Sequence, residues 1–360
     1  MKKIFFVSLT IILFSCSDKK SNYPWSDLTF NEALNLKTDK IIFLDFYSDN
    51  WGACKRLEVE TLNDSRVINF TNKHLIALKL DAWYDSTGQE LFSQFNGYAI
   101  PLLIFLNAKG EELDRVVGYR DVDEFLSILN NVLNNQDTFM SLSKQYNEGN
   151  RKIDLIDKLS LKSEERQDDE LSSELYTIVL DRASEFDLKI YERAQYYFAK
   201  SAIKNDDISK ILSFIEEYKN SENITSAYFE LIRFYASKND TTFEVKTYKN
   251  MIKKHAMLDS FDISRRSSLL NSYAWRMTEL ESNLEDALLK SIYSIKIVDS
   301  LGIDISSRKP MLLDTKAEIL WKMNRIDEAI NTISQAIEMD PKYQYYQDQK
   351  TKFKNSKKGN

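Results

Sequence analysis

The chain has 360 residues, a formal net charge of −6, 43% hydrophobic residues and 29% charged residues. That length suits two domains at roughly 150 residues each, and the composition excludes an intrinsically disordered chain. The acidic balance, with no basic stripe, excludes an extended nucleic-acid footprint, so no nucleic-acid partner is expected.

At the N-terminus, Lys2 and Lys3 precede an apolar run, Ile4 to Phe14, too short to cross roughly 30 Å of hydrocarbon as a mature helix. The run ends in Leu13-Phe14-Ser15-Cys16, which resembles the bacterial lipobox, where cleavage precedes a cysteine that becomes acylated. The alternative is a plain secretory signal cleaved elsewhere. The lipobox reading makes residues 1–15 a signal peptide and Cys16 the lipidation site. Residues 16–25 then form a tether, and the protein is exported and lipid-anchored to a bacterial membrane, periplasm-facing or at the outer membrane. Acyl chains hold a protein to a bilayer because each buried CH₂ contributes about 0.8 kcal/mol. Of the two cysteines, only Cys54 then remains free, in a compartment where disulfides normally form.

Glycine and proline divide the rest. Gly52, Gly88, Gly97, Gly110 and Gly118 fall between residues 50 and 120, whereas no proline occurs between Pro101 and Pro310. The first stretch reads as strands joined by turns and the second as successive helices, with the boundary near residues 134–137. FNEALNLKTDK predicts an amphipathic helix and IIFLDFY a buried strand. A helix follows from about Gly52, with Asp49 or Asn50 as its N-cap. LIALKLDAW predicts a second strand. IPLLIFLNAKGEELDRVVGY predicts two more around a turn at Lys109-Gly110, and DVDEFLSILNNVL a closing helix with Val122, Phe125, Leu126, Leu129 and Val132 inward. This order implies a mixed sheet with helices on its faces.

Residues 26–133 resemble a thioredoxin-fold domain, of the group that reads roughly DFYADWCGPCKxLE where this chain has DFYSDNWGACKRLE. Asp45 stands where that family keeps a buried carboxylate, six residues before position 51. Ile100-Pro101 falls at the family's cis-proline and Gly118 in the turn before the last helix. In this register Trp51 occupies the place of the first cysteine of the redox pair, Gly52 and Ala53 lie between, and Cys54 stands at the second. An alternative alignment keeps Trp51 as the family's tryptophan and deletes a residue. In either, the attacking thiol is absent, and a dithiol cycle within one chain needs two thiols. Cys54 is then a small buried hydrophobe or a lone thiol that forms mixed disulfides with a partner. Asp45 is a remnant of the fold or a group that tunes that thiol. The resemblance also implies an extended-peptide groove beside Pro101, made more apolar by Leu102.

In the second half, Leu284-Glu285-Asp286-Ala287-Leu288 recurs as Ile326-Asp327-Glu328-Ala329-Ile330, and Ala274 recurs as Ala317. Residues 310–343 resemble a tetratricopeptide repeat, with Ala317, Ala329 and Ala336 at the small positions and Pro341 ending the second helix. Residues 267–300 are a looser copy with Ser294 at the third small position. Residues 137–266 predict degenerate helical hairpins that stack as a solenoid. The stripe Tyr196, Tyr197, Phe198 reads as core. Residues 344–360 follow as a C-terminal helix and a basic tail with Lys350, Lys352, Lys354, Lys357 and Lys358, read as solvated.

His74 and His255 lack partners at ligand spacing, so no metal is expected, and no phosphate loop or nucleophile elbow suggests a cofactor. The expected fold class is an α/β thioredoxin-like domain followed by an all-α tetratricopeptide-like solenoid. The expected function is binding of envelope proteins or extended peptides, through the Pro101 groove and the concave face of the repeats, by a protein held to the membrane through lipid at Cys16. The alternative is a thiol–disulfide oxidoreductase-like protein acting through Cys54 alone.

Overall fold

A computed structural model describes residues 23–49, 51–182, 188–257, 262–301 and 308–358. The signal segment, Cys16, most of the tether and Asn50 lie outside the described residues. The chain divides into two compact units, one reaching Leu175 and one starting at Tyr176.

The first unit is built on β1 (Ile41–Tyr47), β2 (Leu75–Asp81), β3 (Leu102–Leu106) and β4 (Glu112–Val117), in the order β2-β1-β3-β4. β1 pairs in parallel with β2 and antiparallel with β3, and β3 pairs antiparallel with β4. β1 is apolar on both faces because both are covered. Ile41 and Phe43 pack with Leu57, Leu62, Val67, Phe125 and Leu129, while Ile42, Leu44 and Phe46 pack with Ala33, Cys54 and Leu91. The covering helices are α1 (Phe30–Asn35), α2 (Gly52–Arg56), α3 (Ser65–His74), α4 (Ser86–Gln94) and α5 (Val122–Asn134). The mixed sheet with helices on both faces matches the expected fold class.

Several local expectations are corrected. The helix expected over FNEALNLKTDK stops at Asn35, because Leu36 turns to extended backbone. The helix at Gly52 is capped neither by Asp49 nor by any side chain. Trp51 holds the N-cap position, and its N–H donates to the Ser48 carbonyl at 3.1 Å. α2 then loosens into a π-helical turn, Leu57–Leu62, which periodicity did not anticipate. Tyr23 and Trp25 are not tether: the Tyr23 hydroxyl lies 2.8 Å from Thr71 Oγ1, and Trp25 stacks on Phe43 and bridges to Ala77 beside β2. The turn at Lys109-Gly110 forms as expected, with Gly110 at φ +80.

The first unit runs past the expected boundary. Helices α6 (Phe139–Asn147) and α7 (Ile153–Glu165) pack on β4, which is otherwise an edge strand. The buried Asp114 of β4 accepts from Lys162 at 2.6 Å and from the Phe139 N–H at 3.3 Å. Glu112 binds Arg115 at 2.7 Å and also pairs with Arg166. Polar groups on a sheet edge, spaced to meet a helical hairpin, tie that hairpin to the sheet.

Beyond α8 (Asp169–Arg182) the described second unit is all helical: α9 (Leu188–Ile203), α10 (Ser209–Glu217), α11 (Ile224–Ser237), α12 (Thr241–Met251), α13 (Ile263–Glu279), α14 (Leu284–Leu301), α15 (Lys309–Lys322), α16 (Ile326–Met339) and α17 (Gln344–Lys358). α13 packs with α14, and α15 with α16, as antiparallel neighbours joined by short turns. Ala274, Ala287, Ala317, Ala329 and Ala336 are fully buried, as small residues must be where helices approach closely. Ser294 is buried too, its hydroxyl 2.9 Å from that of Ser267. Pro341 follows the end of α16. Tyr197 is core, and Tyr196 and Phe198 are half-buried beside it. The lysines expected as a solvated tail belong to α17: Phe353 is fully buried, Lys352 binds Glu318 at 2.6 Å and Lys357 pairs with Asp327. A helix with one apolar face docks rather than trails.

Candidate functional site

The residues that the sequence singles out converge at one end of the sheet. β1 and β2 are parallel and end together, and β3 begins there because it runs the other way. Trp51 to Cys54 follow β1, the cis Ile100–Pro101 bond precedes β3, and Trp83 and Tyr84 follow β2.

Cys54 is buried at 6% exposure, packed among the apolar residues under that end of the sheet, and makes no disulfide. Burial pushes its thiol up to about 11, against a smaller opposing effect of a backbone hydrogen bond from Ser48. Only about a thousandth of such thiols would be ionised at pH 8, and the thiolate is the reacting form. Trp51, which the gap-free register sets against the family's first cysteine, is 51% exposed. Gly52 is also exposed, and a Cβ there would meet nothing within 4 Å, so neither its smallness nor that of the half-buried Ala53 is demanded by packing.

Asp45 lies in mid-strand, wholly buried, and its Oδ1 has no hydrogen-bond partner. Desolvation pushes its carboxyl up to about 7, with Lys79 opposing and Glu58 adding to the rise. Lys79 is Asp45's register partner on β2. Its ammonium binds Glu58 Oε2 at 2.9 Å and sits 4.2 Å from the Tyr47 ring centroid. Lys79, Glu58 and Tyr47 were not singled out by the sequence reading. The signal was available: Lys79 is the one charge inside the apolar run LIALKL.

Trp83 and Tyr84, 56% and 70% exposed, were also missed. Their turn is built firmly. Asp81 Oδ1 accepts from the N–H groups of Trp83 and Tyr84 at 2.8 and 2.9 Å, and Gln89 donates to the Trp83 carbonyl at 2.5 Å. Gly88 closes the turn, since a Cβ there would stand 2.0 Å from the Asp81 carbonyl oxygen. The sheet end therefore carries a closed thiol and exposed aromatic side chains, two of them on a hydrogen-bonded turn. A two-thiol exchange needs two neighbouring thiols, and the described residues here hold one. Among the described residues no group of His, Cys, Asp or Glu could hold a metal ion, and no helix is long and apolar enough to cross a membrane.

A family model described as a thioredoxin-like domain matches residues 31–133. The thiol:disulfide interchange protein DsbD of Pasteurella multocida (strain Pm70) is 29% identical over 102 residues, covering 27% of this chain and 17% of that protein. Mitochondrial thioredoxin-2 of Schizosaccharomyces pombe (strain 972 / ATCC 24843) is 35% identical over 97 residues, covering 26% of this chain and 64% of that protein. The solution structure of a candidate disulphide-isomerase from Bacteroides thetaiotaomicron is 32% identical, with a TM-score of 0.29, covering 32% of this chain and 96% of that one. The chain thus spans less than two thirds of the length of these curated relatives, and the family model's match lies within the first unit. That unit holds a thioredoxin-like domain related to disulfide oxidoreductases. The second unit is a helical region consistent with repeats.

Proposed function

We propose that the protein binds envelope proteins or extended peptides through the Trp51 end of its thioredoxin-like domain and does not turn over disulfides. In this reading it is a lipoprotein anchored through Cys16, and its helical unit is a tetratricopeptide-like array that presents a second binding face. The observation that carries it is the pairing of a buried Cys54, its thiol pushed up to about 11, with an exposed Trp51 that the gap-free register sets against the family's first cysteine. Exposed aromatic rings on a rigid turn are the usual anchors of protein recognition.

The test is co-purification from envelope extracts with the wild-type chain, Trp51→Ala and Cys54→Ala. The reading requires a partner that Cys54→Ala retains and Trp51→Ala releases. A partner that disappears with Cys54→Ala, and is freed by reductant from the wild type, would refute it. Lipidation is tested separately, by incorporation of a clickable palmitate that Cys16→Ser abolishes.

A second reading is favoured by the thiol:disulfide interchange proteins among the relatives. Here the Cys54 thiolate attacks a partner's disulfide, one sulfur bonds to Cys54, and the other leaves as the partner's thiolate. Alkylation of the native protein across pH separates the two. This reading needs fast labelling with a midpoint near neutrality.

A further inference from the structure

Within the helical unit lies a cavity of about 600 Å³, in the size range of small-ligand sites. Its wall includes the rings of Phe229, Tyr248, Trp275 and Tyr345, from four different helices, together with Asn271 and Asp314. Both of these polar residues are more than nine-tenths buried.

Several donors around this space are already committed. The Arg276 guanidinium binds both oxygens of Glu244, at 2.5 and 3.2 Å, and Glu279 at 2.8 Å. Trp275 Nε1 donates to Glu279 at 3.0 Å, Ser272 to the Ser268 carbonyl at 3.0 Å, and Thr315 to the Met311 carbonyl at 3.2 Å. Arg308, also in the wall, has its own interactions in the fold. One acceptor is left over. Asn271 Oδ1 is buried without a hydrogen-bond partner. Asp314 receives Gln349 Nε2 at a long 3.4 Å and a hydrogen bond from the Tyr345 hydroxyl, but no cation binds it: the nearby Lys352 is taken by Glu318 at 2.6 Å.

We propose that this cavity binds a primary ammonium on an apolar stem, with the stem among the aromatic rings and the cation against Asp314. A buried carboxylate with neutral donors but no bound cation is costly, and an ammonium that brings its own charge and N–H groups relieves that cost. The rings add attraction for the cation and cover for the methylenes. Desolvation chiefly pushes the Asp314 carboxyl up to about 7, and a cation in the adjoining space would favour its ionised form. This goes beyond the polypeptide-binding reading, because it concerns another unit and stands whether or not Trp51 contacts a partner.

The experiment is calorimetric titration of the full chain with three probes: N-acetyl-lysine methylamide, n-butylammonium and the uncharged N-acetyl-norleucine methylamide. At least one amine should bind saturably, about tenfold or more tighter than the norleucine derivative. If only the lysine derivative does so, the source is a peptide side chain, and if butylammonium matches it, a free amine. Asp314→Asn should weaken the amine about tenfold with an unchanged far-ultraviolet circular dichroism spectrum, and Trp275→Leu should weaken it as well. The proposal is overturned if the norleucine derivative binds as tightly, or if no amine saturates up to about 10 mM. Undiminished amine binding by a folded Asp314→Asn protein would overturn it too. The comparison among probes on the wild type stands even where a variant fails to fold.

Discussion

Asp45 in the first unit and Asp314 in the second are both buried acids with carboxyls pushed up to about 7, yet their surroundings differ. Asp45 is enclosed in mid-strand between two packed layers, beside a lysine that Glu58 already binds. Asp314 borders open volume among aromatic rings and one unmatched acceptor. A raised carboxyl by itself reports only desolvation. What separates a closed acid from one that can take a ligand is whether space adjoins it. The exposed counterpart in the first unit is apolar: Trp51, Trp83 and Tyr84 face solvent while thiol and carboxylate are buried.

The sharpest way to break this comparison is to strip a closed acid of its partner. Lys162→Ala leaves Asp114 buried without its cation, and losing one partner of such a pair typically costs about 3–5 kcal/mol. Urea unfolding of the first unit should shift to a clearly lower midpoint. An unchanged midpoint would mean that α7 does not stabilise the sheet.

Asp45→Asn should act in the other direction. The folded state holds the Asp45 proton up to about pH 7, whereas the unfolded chain releases it near its ordinary value of 3.8. The folded state therefore binds the extra proton between those values, and stability falls as pH rises through that window, levelling off above it. Removing the acid should raise stability above pH 7 by an amount on the order of 4 kcal/mol, and should flatten the difference curve between pH 4 and 7. Asp314→Asn should show the same sign in the second unit, and bound amine should erase it there only. Thermal melts across pH read both.

Packing contrasts the units next. Ala329→Leu forces a larger side chain between α15 and α16, where Ala329 is fully buried, and should cost about 1–3 kcal/mol in thermal unfolding. The smallest effect belongs to Trp51→Ala, which at a half-exposed position should change stability by less than about 0.5 kcal/mol. Its consequence should be confined to partner binding. Cys54 should label with iodoacetamide far more slowly than free cysteine at pH 8, accelerating only on unfolding.

Much of the first unit was legible because its signals are local. An apolar run flanked by turn residues marks a doubly covered strand, and Gly110 must sit where the chain turns at positive φ. Trp51 and Cys54 could be placed because the spacing from Asp45 is carried by one strand and one turn. The fate of α6 and α7 was not legible. Their apolar faces look like those of any helical hairpin, and long-range pairings such as that of Lys162 with Asp114, 48 residues earlier, assign them to the sheet. Lys79 carried a visible signal, a charge in an apolar run, but its partner Glu58 comes from a π-helical turn that no periodicity announces. Lys352 and Lys357 read as tail because charge density is a local property, while the burial of Phe353 depends on distant helices.

The sequence alone determined that this chain has a cysteine, Cys54, near a strand end, a mixed sheet and then helices, since composition, hydrophobic period and residue spacing act over a few neighbours. Whether that thiol is open, which acid adjoins a cavity and where the first unit ends were decided only by tertiary structure. Desolvation and free volume are set by atoms brought together from far along the chain.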